Sequence, residues 1–300
     1  MKQQSRHDFL DPRVLARLSR SQLQARFPMS GSMSGQHRSP HKGSSVEFAE
    51  YRKYVPGDDI RMLDWRVYAR SDRYYLKEFE ADTNLRAYFV LDGSASMAFA
   101  GAGESKLAHG RKLIATLAWL LVQQGDAVGF TCFGEKTMFD IPARRNAGHL
   151  RNIFDGLAGI KPQGETRLVE ALHTLAERIP QRSLVVIVSD CFVPVEELLG
   201  CFQHLRFRKN DLAVFHLLDR AEIEFDFRHP TRFVDMETSA ALLAEPETIR
   251  ARYFAELNKF LDRVKGGCRE FKAEYRRVVT DDDYEKAIAN FLIERERKKK

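Results

Sequence analysis

The sequence predicts an α/β protein built on a mostly parallel sheet with helices on both faces, preceded by an N-terminal extension that contains β structure. Three observations lead there. From residue 87 onward, short apolar runs alternate with segments of helical spacing. One run, Leu184–Val188, is apolar at every position, as a strand covered on both faces must be. Oxygen-bearing residues, Asp92 and Ser189-Asp190, directly follow two of the apolar runs.

Taken in order, residues 11–27 carry Val14, Leu15, Leu18, Leu23 and Phe27 at spacings that suggest a helix, which Pro28 blocks. Met29–Ser45 is rich in Ser and Gly and reads as a loop. Residues 46–86 are dense in aromatic and charged side chains; Pro56-Gly57 marks a turn and Arg73–Phe79 alternates like a strand. The main alternation then begins: a strand at Ala87–Leu91, a helix over Lys106–Gln124 capped by Ser105, and strands at Ala127–Phe133 and Thr137–Ile141. Helices at Asn146–Leu157 and Leu168–Arg178 lead to the strand Leu184–Val188. A helix at Val195–Leu205 and a strand at Leu212–Leu218 form the next unit. Strands near Glu222–Phe227 and Arg232–Met236 follow, then helices at Pro246–Val264 and Tyr284–Arg297. The chain divides accordingly into a basic arm (1–45), an extension (46–86), the α/β domain (87–297) and a basic tail (298–300).

Binding residues of an open α/β sheet lie beyond the C-terminal strand ends, where strand order reverses. Three polar segments fall at such places: Asp92-Gly93-Ser94-Ala95-Ser96, Gly164-Glu165-Thr166 and Ser189-Asp190. Singly, each has a plainer reading, because Asp and Ser after a strand make Asx-turns and Thr before a helix caps it. Together, Asp92, Ser94, Ser96, Thr166 and Asp190 offer two carboxylates and three hydroxyls, an all-oxygen set suited to Mg²⁺. Few charged ligands would leave the ion able to accept a carboxylate from outside.

The run Asp92 to Met97, with Thr166 and Asp190, resembles the metal-ion-dependent adhesion site of von Willebrand factor A domains, with no departure at the five ligand positions. The resemblance spans about 87–220 and extends toward 295. It implies a Rossmann-like sheet with Mg²⁺ or Mn²⁺ at its top, capturing a partner protein through an acidic side chain. A second resemblance lies upstream. Ser39-Pro40-His41-Lys42-Gly43, Glu47 to Arg52, Pro56-Gly57-Asp58-Asp59-Ile60-Arg61, Leu63-Asp64-Trp65, Tyr68-Ala69-Arg70 and Lys77 to Glu80 are similar to the bacterial "domain of unknown function 58" family. That resemblance implies an adaptor or chaperone-like partner of a MoxR-type AAA+ ATPase.

Within 47–80, acids and bases are interleaved. A salt-bridged, aromatic-packed clamp anchored by Trp65 is the favoured reading over a second metal or hydrolytic centre at Asp58, Asp59 and Asp64. Adjacent Asp58 and Asp59 point opposite ways in extended backbone. Lys42-Gly43-Ser44 lacks the residue order of a phosphate-binding P-loop.

Composition narrows the remaining classes. The 300 residues are 44% hydrophobic and 30% charged, enough for a core without staples. Cys132, Cys191, Cys201 and Cys268 form no CxxC pair and read as reduced structural thiols. The longest apolar stretch, Leu113–Val122, is too short for a bilayer crossing, and Met1–Leu10 lacks the apolar segment of a secretory signal. The expectation is a cytoplasmic protein with no membrane span. The net charge of +6 resides in residues 1–46, where eight Lys/Arg face only Asp8 and Asp11. That arm has neither interleaved aromatics nor a nucleic-acid motif, which disfavours nucleic acid as partner. The function expected is divalent-metal-dependent protein binding, not catalysis. The alternatives are a hydrolase using the same metal site and a nucleic-acid-binding protein using the arm.

Overall fold

A strand that is apolar on both faces needs cover on each, and Leu184–Val188 lies buried at every position inside the sheet. The structure, a computed structural model, describes residues 8–26, 34–38, 47–55, 63–80, 82–83 and 85–297. The chain runs α1 (Pro12–Leu18), β1 (Ser34–Arg38), β2 (Glu47–Lys53), α2 (Trp65–Ser71), β3 (Tyr75–Glu80), β4 (Asp82–Thr83) and β5 (Arg86–Asp92). A 3₁₀ turn (Ala95–Ala98) precedes α3 (Lys106–Gln123), β6 (Ala127–Phe133), β7 (Thr137–Arg144), α4 (Ala147–Gly159), α5 (Leu168–Arg178) and β8 (Leu184–Ser189). Then come α6 (Val195–Phe207), β9 (Asp211–Leu218), α7 (Arg220–Glu224), β10 (Thr231–Val234), β11 (Ala241–Ala244), α8 (Pro246–Glu270), β12 (Glu274–Val279) and α9 (Tyr284–Arg297).

Six strands form one sheet in the order β12-β9-β8-β5-β6-β7, parallel except for the β6–β7 hairpin at one edge. Alternation sorts the side chains. Phe89, Leu91, Val186, Val188, Phe215 and Leu217 face a core built with α1, α3, α4 and α9. Val90, Val185, Ile187, Leu212 and Val214 face a second core built with α5, α6 and α8. Gly110 lets α3 press onto the strand ends, since a Cβ there would lie 3.0 Å from Leu91 Cδ1 and 3.2 Å from Val188 Cγ1.

The α/β expectation holds, and the main elements of the sheet fall where the patterns put them. Several details differ. The first helix stops at Leu18, and Leu23 is buried without helical structure. Val14, Leu18 and Leu23 lie in the main core, so residues 8–26, grouped by charge with the basic arm, pack as part of the folded body. A strand, β1, sits inside the Gly/Ser-rich stretch and pairs with β4. Within the extension, β2 and β3 pair antiparallel. Trp65 is no buried anchor: Asp64 caps α2 by accepting from Arg66 N and Val67 N, and Trp65, the first residue of that helix, is 60% exposed. Pro56-Gly57, Asp58 and Asp59 lie outside the described residues. The strand expected near Glu222–Phe227 is instead α7, opened by a capping box in which Asp219 and Glu222 satisfy each other's backbone N–H groups. Neither β11 nor β12 was expected. All four cysteines are buried and free.

At the N-terminal edge of the sheet, the fully buried Arg295 donates to Asp211 Oδ2 at 2.8 Å and its Nε lies 3.1 Å from Glu274 Oε2. Arg295 also donates to Gln24 O at 3.2 Å, and Arg26 N donates to the same Asp211 oxygen at 3.3 Å. One guanidinium thus ties α9, β9, β12 and the N-terminal segment together. Removing one member of a buried ion pair leaves the other charge uncompensated, at a cost of about 3–5 kcal/mol. Arg295→Met is therefore expected to lower stability by about that amount, read from urea unfolding curves.

Candidate metal centre

The chain enters the sheet at β5 and adds β6 and β7 on one side before returning to place β8, β9 and β12 on the other. Strand order therefore reverses between β5 and β8, where a crevice opens beyond the C-terminal ends. Leu91 pairs with Val188, so Asp92 and Ser189 leave neighbouring strands side by side, with Asp190 next.

Backbone bonds then fasten the loops. Gly93 N donates to Phe133 O at 2.6 Å, Gln163 N to Gly93 O at 3.1 Å, and Ala95 N to Gly164 O at 3.0 Å. Gly93 is required by close approach, because a Cβ would stand 2.9 Å from Cys132 Sγ and 3.1 Å from Phe133 O. Gly164 has φ +71°, a left-handed conformation that glycine adopts without strain. Zipped this way, residues 163–166 bring Thr166 against the Asp92 loop.

All five candidate ligands meet in one network. Thr166 Oγ1 donates to Asp92 Oδ2 at 3.2 Å, and Ser94 N donates to Asp92 Oδ1 at 2.9 Å. Ser94 Oγ and Ser96 Oγ are 3.0 Å apart, and the Ser96 hydroxyl donates to Asp190. Thr166 is not the helix cap that its position allows: Arg167 holds that place, and the Thr166 hydroxyl serves Asp92.

Electrostatics separate the two carboxylates. Burial pushes the Asp92 carboxyl up to about 6, aided by the nearby Asp190 charge and opposed by bonds from Ser94 and Ser189. Its donors, Ser94 N, Thr166 Oγ1 and Ser189 Oγ (2.8 Å), are neutral. Burial also acts on Asp190, but the Lys106 ammonium overcomes it and holds that carboxyl below its ordinary value. Lys106 Nζ donates to Asp190 Oδ2 at 2.7 Å and to Glu222 Oε1 at 2.9 Å. Burial would lower the lysine pKa, yet these two carboxylates raise it, so Lys106 stays charged.

Three contributors to this site were not among the five expected ligands, although Ser189 stood in one of the three polar segments. Ser189 donates to Asp92; it directly follows an apolar strand, which was the available signal. Lys106 occupies the first position of α3, where the helix dipole disfavours a cation; that misplacement could have drawn attention to it. Glu237 accepts from Thr166 N at 3.2 Å, and no local pattern pointed to it. Among the described residues, no three His, Cys, Asp or Glu side chains gather as a metal cluster. The site is of another kind, with carboxylate and hydroxyl oxygens around a buried Asp92 that lacks a cationic donor. That donor set fits a hard divalent ion.

The raised Asp92 pKa has a signed consequence. An acid whose folded pKa lies above its unfolded value, here about 6 against 3.8, withdraws stability as pH rises between the two. In EDTA, Asp92→Asn is expected to be more stable than the parent at pH 7 by up to about 3 kcal/mol, the difference closing by pH 4. Urea unfolding of both proteins across that range measures it.

An uncharacterized protein of Mycobacterium bovis is 29% identical over 194 residues, covering 63% of this chain; the chain spans 61% of that relative's length. Similar solved structures include BatB from Bacteroides thetaiotaomicron (15% identity, TM-score 0.45, covering 71% of this chain and 100% of that one). An aerotolerance-related membrane protein from Bacteroides fragilis shows 16% identity and TM-score 0.44 over 70% of this chain and 100% of that one. A von Willebrand factor type A structure from Catenulispora acidiphila shows 10% identity and TM-score 0.37 over 74% and 44%. The described residues contain no helix long and apolar enough to cross a membrane. The expected cytoplasmic location is nonetheless corrected, because proteins described as membrane proteins stand among these neighbours. The family model "Protein of unknown function DUF58" matches residues 50–260, so the chain belongs to the DUF58 family.

Proposed function

We propose that this protein is a divalent-metal-dependent protein-binding module. A DUF58 chain with a von Willebrand factor A-like fold is suited to protein interaction. The finer reading, metal dependence, rests on one observation: the five oxygen-bearing side chains share a single hydrogen-bond network around a buried carboxylate with only neutral donors. Asp92, Ser94, Ser96, Thr166 and Asp190 would hold Mg²⁺ or Mn²⁺, directly or through water. The ion would supply a positive centre able to accept a carboxylate from a partner. The resemblance to DUF58 proteins directs attention to a MoxR-type AAA+ ATPase, or its client, as that partner.

Hydrolysis at the same site is the second reading, and it needs a general base. Lys106, the basic side chain bonded to Asp190, is held protonated by two carboxylates. Burial drives His216, on the strand beside Ser189, down to about 4, and its Nδ1 lies 3.0 Å from the Tyr275 hydroxyl. These constraints support binding over catalysis. Nucleic-acid binding by the basic arm is weakened by the packing of Val14, Leu18 and Leu23 into the core and by the pairing of Arg17 with Glu285.

A ligand that binds only the folded state at 100 times its Kd adds about 2.7 kcal/mol of stability. Mg²⁺ or Mn²⁺ is expected to raise the melting temperature by several degrees and to give a one-site calorimetric isotherm, both lost in Asp92→Ala. A tagged protein is expected to co-purify a MoxR-type ATPase or its client in Mg²⁺ but not in EDTA. Equal capture in both, with Asp92→Ala unchanged, overturns the reading.

A further inference from the structure

The turn between β10 and β11 reaches back to the metal centre. Its residues are exposed, Asp235, Met236, Thr238, Ser239 and Ala240 among them, but Glu237 is partly buried. Glu237 Oε2 accepts from Thr166 N at 3.2 Å, on the residue whose hydroxyl bonds Asp92. Its other oxygen, Oε1, is buried without a hydrogen-bond partner. A buried, unpartnered carboxylate oxygen is costly, and the fold holds this one beside the candidate metal ligands.

The turn is constructed to present it. Asp235 Oδ1 accepts from Glu237 N at 2.8 Å and Thr238 N at 3.2 Å, while Oδ2 accepts from Thr238 Oγ1 at 2.7 Å. Ser239, at φ +61°, completes the reversal, and its N donates to Asp235 O at 2.9 Å. At its base the hairpin is pinned by Phe233, which stacks on Phe225 with centroids 5.6 Å apart and meets Phe227 edge-on. Phe225 ends α7, the helix whose Glu222 shares Lys106 with Asp190. The hairpin therefore contacts the site twice, through Glu237 on Thr166 and through α7 on Lys106. Its own apolar side chains, with Leu243 73% exposed and Leu242 60%, have little cover. Few contacts of its own would have to be broken to lift it.

We propose that Glu237 is a carboxylate the chain supplies to its own metal centre, standing where a partner's acidic side chain would bind, so that partner capture displaces the β10–β11 hairpin. The inference rests on the metal-binding reading above and adds an intrachain competitor to it. A tethered ligand acts at an effective concentration in the millimolar range or higher, so an external carboxylate must exceed that to compete.

Water-proton relaxation of the full-length protein loaded with Mn²⁺ tests this, since it reads how many waters the bound ion carries. Glu237→Gln lies in an exposed turn and keeps the backbone bonds to Asp235. It is expected to raise relaxivity per bound Mn²⁺ by roughly 1.5-fold, as when a six-oxygen ion passes from two waters to three. Acetate, used as the probe carboxylate, is expected to reverse that rise in Glu237→Gln and to leave the parent unchanged, because there it only replaces one carboxylate with another. Asp235→Ala, which keeps the Glu237 carboxylate but loosens the turn, should move both readouts in the same direction. Mn²⁺ bound with equal relaxivity and the same response to acetate in all three proteins overturns this inference and leaves the metal site standing. No Mn²⁺ bound by the parent or by the variants overturns both.

Discussion

Two carboxylates buried side by side at the ends of β5 and β8 are the constraint around which the upper half of this domain is organised. Like charges withdrawn from water repel strongly, and each also loses its solvation. The fold answers differently for each. Asp190 receives a lysine from the first turn of α3, and α7 supplies Glu222 to hold that lysine from its other side. Asp92 receives hydroxyls and a backbone N–H alone. Much local detail follows. Residues 93–95 and 163–164 must be zipped so that Thr166 reaches Asp92, which requires glycine at 93 and 164. α3 must begin at Lys106 so that its ammonium reaches between two strands and a short helix.

The opposite end of the sheet shows the contrasting solution. There, Arg295 sits against Asp211 and Glu274 with no exposure, and the N-terminal segment adds backbone bonds to the same cluster. In charge that network is closed: Arg295 and Arg276 stand against Asp211 and Glu274. At the top, one lysine answers Asp190 and Glu222 while Asp92 has no cation beside it, an excess of negative charge in a buried setting. A closed charge cluster fastens chain segments together. An open one of this sign is suited to a cation, which is why the lower cluster reads as structural and the upper one as a binding centre.

The sheet was legible because its strands had to be apolar on both faces. Leu184–Val188 and Ala127–Phe133 admit few other readings, and the long amphipathic helices between them are as plain. What escaped was set by tertiary context. β12 carries Glu274, Arg276 and Arg277, an edge-strand composition in which Arg295 and Glu294 of α9 answer the first two, and no local pattern reveals that. The α7 segment had the Asp219–Glu222 spacing of a capping box, but its aromatic residues resembled a strand. Trp65 was expected inside because large aromatics usually are, whereas the cap by Asp64 fixes it at an exposed helix start. The five site residues were legible through their order beside strand ends. Lys106 and Glu237 were not, since Lys106 lies 10 residues beyond Ser96 and Glu237 47 beyond Asp190, and only the folded chain joins them to the site.

Glu237 sharpens the electrostatic argument. A site already holding three carboxylates against one lysine should repel a fourth, and an exposed turn offers a glutamate every opportunity to face water instead. Glu237 nevertheless turns inward, gives one oxygen to Thr166 N, and leaves the other buried. One peptide N–H is a small return for bringing a negative charge toward Asp92. A divalent ion would change the sign of that balance, making the inward carboxylate favourable and relieving Asp92 in the same step. The position of the hairpin and the surplus of negative charge beneath it are thus two aspects of one requirement, and this is the physical reason for reading the centre as a metal-dependent site that recognises acidic side chains.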